Sequence, residues 1–90
     1  ITIGTGVKTI GEYAFANNEA LVEVVFNATN CSSAGIKNGG AFSGCSKIKK
    51  VTFGSSVKTI PSYLLSGAYP DDLTYIIVPK SVTKIEFDSL

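Results

Sequence analysis

Three hexapeptides in this chain carry large apolar residues at the same places: Leu21-Val22-Glu23-Val24-Val25-Phe26, Ile48-Lys49-Lys50-Val51-Thr52-Phe53 and Leu73-Thr74-Tyr75-Ile76-Ile77-Val78. The shared apolar positions are 1, 4 and 6, and the opening Ile1-Thr2-Ile3 supplies the last three positions of the same unit. Such a recurrence constrains the fold more than any total. A unit this short cannot bury its apolar side alone and must stack on its neighbours. With the last position as marker, Ile3, Phe26, Phe53 and Val78 are spaced 23, 27 and 25 residues apart.

A second block follows each strand. Val7-Lys8-Thr9-Ile10, Val57-Lys58-Thr59-Ile60 and Val82-Thr83-Lys84-Ile85 all place Val and Ile three apart, with Ile seven residues after the marker (3 to 10, 53 to 60, 78 to 85). Then come Ala14-Phe15, Ala41-Phe42 and Leu64-Leu65. The longer steps have local causes. One is the stretch "NATNCSSAGIKNGG" between Phe26 and Ala41, and the other is Ala68-Tyr69-Pro70-Asp71-Asp72, which carries a Pro-Asp turn signal. Spacings in the twenties with this apolar pattern belong to the leucine-rich repeat class.

The expected fold is therefore an α/β or mainly-β solenoid, a right-handed stack of about three to four coils. A parallel sheet forms one side, and short helical or 3₁₀ turns at the Ala-Phe blocks form the other. Pro61 suits the first position of such a turn. The whole of 1–90 reads as one domain, with coil boundaries near 1–20, 21–47, 48–72 and 73–90.

The segment "GTGVKTI" (4–10) has the ingredients of a phosphate-binding loop. That loop needs Lys directly after a glycine. Val7 intervenes here, and Val57 intervenes again in "GSSVKTI" (54–60). The valine is a repeat position, so the motif is evidence for the repeat and not for a nucleotide.

Composition narrows the chemistry. The net charge of +1 carries no nucleic-acid footprint, and Lys47-Ile48-Lys49-Lys50 reads as a solvated strand edge. The chain has no histidine, the commonest acid/base partner. No serine sits in a nucleophile-elbow pattern. Asp71-Asp72 reads as a solvated turn, and the glutamates fall at unrelated repeat positions. No enzyme activity, metal or cofactor is expected. Asn27-Ala28-Thr29 and Asn30-Cys31-Ser32 match the N-glycosylation triplet but read as a polar loop in a bacterial source. No apolar run is long enough to span a membrane, so direct membrane insertion is not expected of this segment. The chain opens on Ile1 in mid-unit and shows no polar cap at either end. It reads as an excerpt whose open ends meet further repeats of a parent chain or pair with one another.

The full register resembles the BspA-type, or Treponema-type, leucine-rich repeats of microbial surface proteins, whose unit is similar to V-x-x-I-G-x-x-A-F-x-x-C-x-x-L-x-x-V-x-I-P. The residues that carry the resemblance are Val7 to Phe15 followed by Leu21 to Phe26, then Ala41-Phe42-Ser43-Gly44-Cys45-Ser46-Lys47-Ile48, and finally Val57 to Ile60 with Ile76-Ile77-Val78-Pro79. Asn18 and Ala68 replace the family's cysteine, Leu64-Leu65 replaces Ala-Phe, and Asn27 to Gly40 has no counterpart. The resemblance places Cys45 at the family's inward cysteine position, as a small buried thiol. A bridge between Cys31 and Cys45 stays open as the second reading. The resemblance also implies a cell-surface or secreted setting and a role in protein–protein interaction or adhesion.

Outward strand positions should stack into columns, Glu23–Lys50–Tyr75 and Thr2–Val25–Thr52–Ile77. Glu23, Val25, Lys50, Thr52, Tyr75 and Ile77 form the candidate protein-binding face. Tyr75 and the aliphatics carry that reading, against the alternative that β-branched residues simply suit strands. The enlarged loop of the second unit is the other candidate. A protein ligand on a host or neighbouring cell is the expected partner. The competing readings are a structural spacer and, ranked lower, carbohydrate binding.

Overall fold

The computed structural model describes residues 1–68, 75–86 and 89. Its strands are β1 (Thr2–Ile3), β2 (Thr9–Ile10), β3 (Glu23–Phe26), β4 (Ser33–Ile36), β5 (Gly39–Gly40), β6 (Lys50–Phe53), β7 (Thr59–Ile60), β8 (Tyr75–Ile77) and β9 (Lys84–Ile85). The hexapeptides become strands because β-branched and aromatic residues alternate with polar ones at a period of two. Val24 and Phe26, and likewise Val51 and Phe53, face inward and are buried, whereas Glu23 and Lys50 are exposed.

These strands form a parallel four-stranded sheet in the order β1-β3-β6-β8, one strand per coil. Val24 sits beside Val51 and Val51 beside Ile76, while Phe26 sits beside Phe53 with ring centroids 5.8 Å apart in an edge contact. The chain is thus a β-solenoid with a parallel sheet, as its spacing predicts. Burying each such side chain stabilises by about 1.5–3 kcal/mol. A hydrogen bond nets only about 0.5–1.5 kcal/mol. The ladder of apolar side chains therefore dominates the stacking, and backbone bonds fix its register.

The Val-Lys-Thr-Ile blocks make a second wall of short strands. β2 pairs with β4 and β7 with β9, all parallel. Here the sequence reading of the second coil needs correction. Thr9 pairs with Ser33 and Ile10 with Ala34, so Asn27 to Gly40 does have a counterpart to the second block. Cys31 and Ala34 stand where the other coils place Val and Ile. Their small size, and a spacing of eight residues from Phe26 to Ala34 instead of seven, conceal the match. What is inserted is a hairpin. β4 continues to Ile36 and turns back antiparallel through β5, pairing Gly35 with Gly40. The hairpin also interrupts the wall, because Ser33 bridges to Ser62 and not to Thr59.

The third wall differs from expectation too. No helix or 3₁₀ segment occurs among the described residues, and the Ala-Phe blocks are tight turns. Ala16 N–H donates to Tyr13 O (3.1 Å), Ser43 N–H to Gly40 O (3.1 Å) and Ser66 N–H to Tyr63 O (3.3 Å). Two features stop a helix from propagating. Tyr13 and Tyr63 adopt φ of 55° and 61°, and Asn17, Gly44 and Gly67 recur in the left-handed region at one repeat position, with φ of 58°, 78° and 80°. The amides also bond between coils instead of along a helix. Phe15 N–H donates to Ala41 O (2.8 Å), Asn17 N–H to Ser43 O (2.8 Å), Gly44 N–H to Gly67 O (2.8 Å) and Leu65 N–H to Ser89 O (2.9 Å). The last bond places Ser89 at the repeat position of Ala41. The core fills the space between the three walls, with Phe42, Ile48, Ile60 and Leu64 fully buried and Phe15 stacked on Phe42 at 5.2 Å and 14°.

Candidate functional site

The sheet brings the candidate face together from four strands. Glu23 pairs with Lys50 and Lys50 with Tyr75, while Thr2, Val25, Thr52 and Ile77 form the adjoining column. Those are the columns the spacing predicts. The Lys50 ammonium lies 3.6 Å from the Glu23 carboxylate, with both side chains about half exposed (49% and 48%). A screened pair of this kind stabilises by at most about 1 kcal/mol and leaves both groups able to exchange partners. Val25 and Thr52 are half-buried, and Ile77 is 55% exposed. The side chain of Tyr75 lies outside the described part of the structure, as do Asp71 and Asp72.

A depression of about 200 Å³ opens on this face, lined by Lys50, Val51, Thr52, Phe53, Ile77 and Pro79. The Thr52 hydroxyl is itself buried and has no hydrogen-bond partner. An orphaned buried hydroxyl is a local cost to stability. Sequence reasoning missed Pro79 as a wall of this depression. The proline directly after Val78 was a usable signal, since it closes the strand at a fixed repeat position.

The second-unit loop is ordered as the hairpin. Tyr13 donates its hydroxyl to Asn38 O at 2.6 Å, and its ring packs where a Cβ on Gly39 would stand (3.3 Å). Tyr13 and Ile36 are both more than half exposed. Of the two triplets, Asn30 is exposed whereas Asn27 is half-buried against Gly54.

Cys31 and Cys45 are both free and buried. The Cys45 thiol donates to Phe15 O at 3.0 Å and the Cys31 thiol to Ser33 O at 3.5 Å, so each has its own acceptor. Ala68, at the position of Cys45 in the next coil, is buried as well, while Asn18 in the first coil is exposed and caps Ala20 N–H at 3.2 Å. Burial pushes the Cys31 thiol up from its ordinary pKa, and a backbone hydrogen bond at Ser33 opposes the shift. A disfavoured thiolate inside a core is a poor nucleophile. In native protein at pH 8, both thiols should resist an aromatic disulfide reagent for hours and release two equivalents on guanidinium addition. Fast stoichiometric reaction of the folded chain would contradict the burial.

Among the described residues, no group of three His, Cys, Asp or Glu could hold a metal ion. Among the same residues, no helix is long and apolar enough to cross a membrane. Stacked coils, a continuous parallel sheet and a mixed polar–aliphatic outer face define a repeat solenoid, a fold that is typically non-catalytic. The family model described as "BspA type Leucine rich repeat region (6 copies)" matches residues 1–90. This chain belongs to the BspA-type leucine-rich repeats, a module often found in surface proteins. No curated protein and no solved structure matched it.

Proposed function

We propose that this chain is a non-catalytic interaction or adhesion module of a cell-surface or secreted protein, and that it binds a protein ligand through the outer face of the sheet. The observation that carries this reading is Ile77. It is a large aliphatic, more than half exposed, and lines a depression together with Lys50, Thr52 and Pro79. Exposed apolar area beside a depression suits a site that a partner side chain fills. The neighbouring Glu23–Lys50 pair supplies a polar rim.

The test replaces Tyr75→Ser and Ile77→Ser together and measures retention on intact host cells and immobilised matrix proteins. Binding through this face predicts at least a tenfold loss with thermal unfolding nearly unchanged, because Ile77 contributes little to the core. Unchanged retention in a folded variant would show the coils to be a spacer that presents another domain.

A further inference from the structure

The second wall concentrates charge in a way the total of +1 conceals. Lys8 on the first coil, Lys58 on the third, and Lys80 and Lys84 on the fourth are all exposed. On each of the first and third coils the lysine stands between Val and Ile residues that face the interior (Val7 and Ile10, Val57 and Ile60). The acids of this wall and its flanking turns among the described residues are Glu86, 3.3 Å from Lys84, and Glu12, just past β2. Counting the flanking turns alike, four cations against these two anions leave a local excess of two positive charges. Glu23 lies instead on the strand wall, paired with Lys50.

The columns are set by pairing. Lys8 stands beside Ser32, since Thr9 pairs with Ser33. Lys58 stands beside Thr83, since Thr59 pairs with Lys84. Adjacent strands are about 4.8 Å apart, so the row runs along the stacking axis. It steps sideways where Ser33 meets Ser62 instead of Thr59, by about 10 Å for three residues of strand. Exposed hydroxyl-bearing Thr9, Ser32 and Thr83 stand in the same rows.

We infer that this wall binds a linear anionic polysaccharide bearing sulfate or carboxylate groups. Charge complementarity selects a polyanion, and the row's stepped course suits a flexible chain. Lysine ammoniums act as point charges, and the hydroxyls match sugar oxygens. Single-stranded nucleic acid is disfavoured because the strands of this wall present no aromatic platform for stacked bases. This site lies on a different wall from the proposed protein-binding face and uses none of its residues.

The experiment uses heparin as probe and neutral dextran as control, with retention followed from 50 to 300 mM NaCl. The triple variant Lys8→Ser, Lys58→Ser, Lys84→Ser should bind heparin at least tenfold more weakly, with a log–log salt slope lower by roughly 2–3. The triple Lys→Arg variant should retain binding, which separates lost charge from lost folding. A control triple, Lys47→Ser, Lys49→Ser, Lys50→Ser, makes the same change in net charge and should weaken binding less than threefold. The Tyr75→Ser, Ile77→Ser variant should bind heparin as the parent does, so the two proposals fail separately. The inference is overturned if the parent chain prefers heparin no more than dextran, or if the control triple loses as much as the first. It is equally overturned if single-stranded DNA or anionic vesicles are retained more tightly than heparin.

Discussion

Phe42→Ala should remove most of the stability of this chain. The ring is fully buried in the second coil and stacks on Phe15 from the first at 5.2 Å. Truncating a buried Phe costs about 3–5 kcal/mol, because the cavity cannot fully collapse. Small domains have only about 5–15 kcal/mol in total. In a solenoid, stability sums over coils and their interfaces, and the second coil is interior, so both of its interfaces are weakened. Urea denaturation followed by circular dichroism should show the midpoint fall by half or more. Ile77→Ser, at a 55% exposed position, should shift stability by less than about 1 kcal/mol. Equal shifts for the two variants would refute the assigned core.

Gly40→Ala should be nearly as damaging for a different reason. A Cβ at this position would press into the backbone carbonyl oxygens of Tyr63 and Ser66 on the next coil. Both belong to a turn closed by Ser66 N–H donating to Tyr63 O at 3.3 Å, so neither oxygen can swing aside like a side-chain end. Overpacking costs about 1–3 kcal/mol, and backbone obstruction on two sides puts this variant at the upper end. For a domain of this size the melting temperature should drop by roughly 10–20 °C. Gly11→Ala is the matched control, since nothing lies within 4 Å of its added Cβ. It should be neutral, or stabilise by up to about 1 kcal/mol. A Gly40→Ala protein that melts with the Gly11→Ala control would show that the coils sit farther apart than the structure places them.

The strand wall was legible because large apolar residues alternate there and recur at near-constant spacing. Counting from Ile3, Phe26, Phe53 and Val78 is enough to pair Glu23 with Lys50 and Thr52 with Ile77. The second coil's other wall was not, since Cys31 and Ala34 are too small to announce themselves as Val and Ile equivalents. The turns misled for a conformational reason. Tyrosine seldom adopts positive φ, so nothing in the letters of Tyr13 or Tyr63 forbids a helical turn. At the candidate face, the columns came from counting. The depression beside Thr52 depends on how Lys50, Ile77 and Pro79 lean, which no spacing encodes. The lysine row is hidden in the sequence because Lys8, Lys58 and Lys84 stand 50 and 26 residues apart and come onto one wall only when coils stack. The conspicuous run Lys47 to Lys50 lies elsewhere, on the strand wall with Glu23.

The inter-coil bonds of the third wall have a mechanical consequence. Phe15 to Ala41, Gly44 to Gly67 and Leu65 to Ser89 all run along the stack, as do the bonds of the parallel strand pairs in all three sheets. Tension applied along that axis opens them one rung at a time instead of shearing many together. Under pulling, the chain should therefore lengthen stepwise at modest force. Each step should release one coil of 23 to 27 residues, or about 75–100 Å of extended backbone. A tether built from such coils would lengthen gradually under flow before it parted.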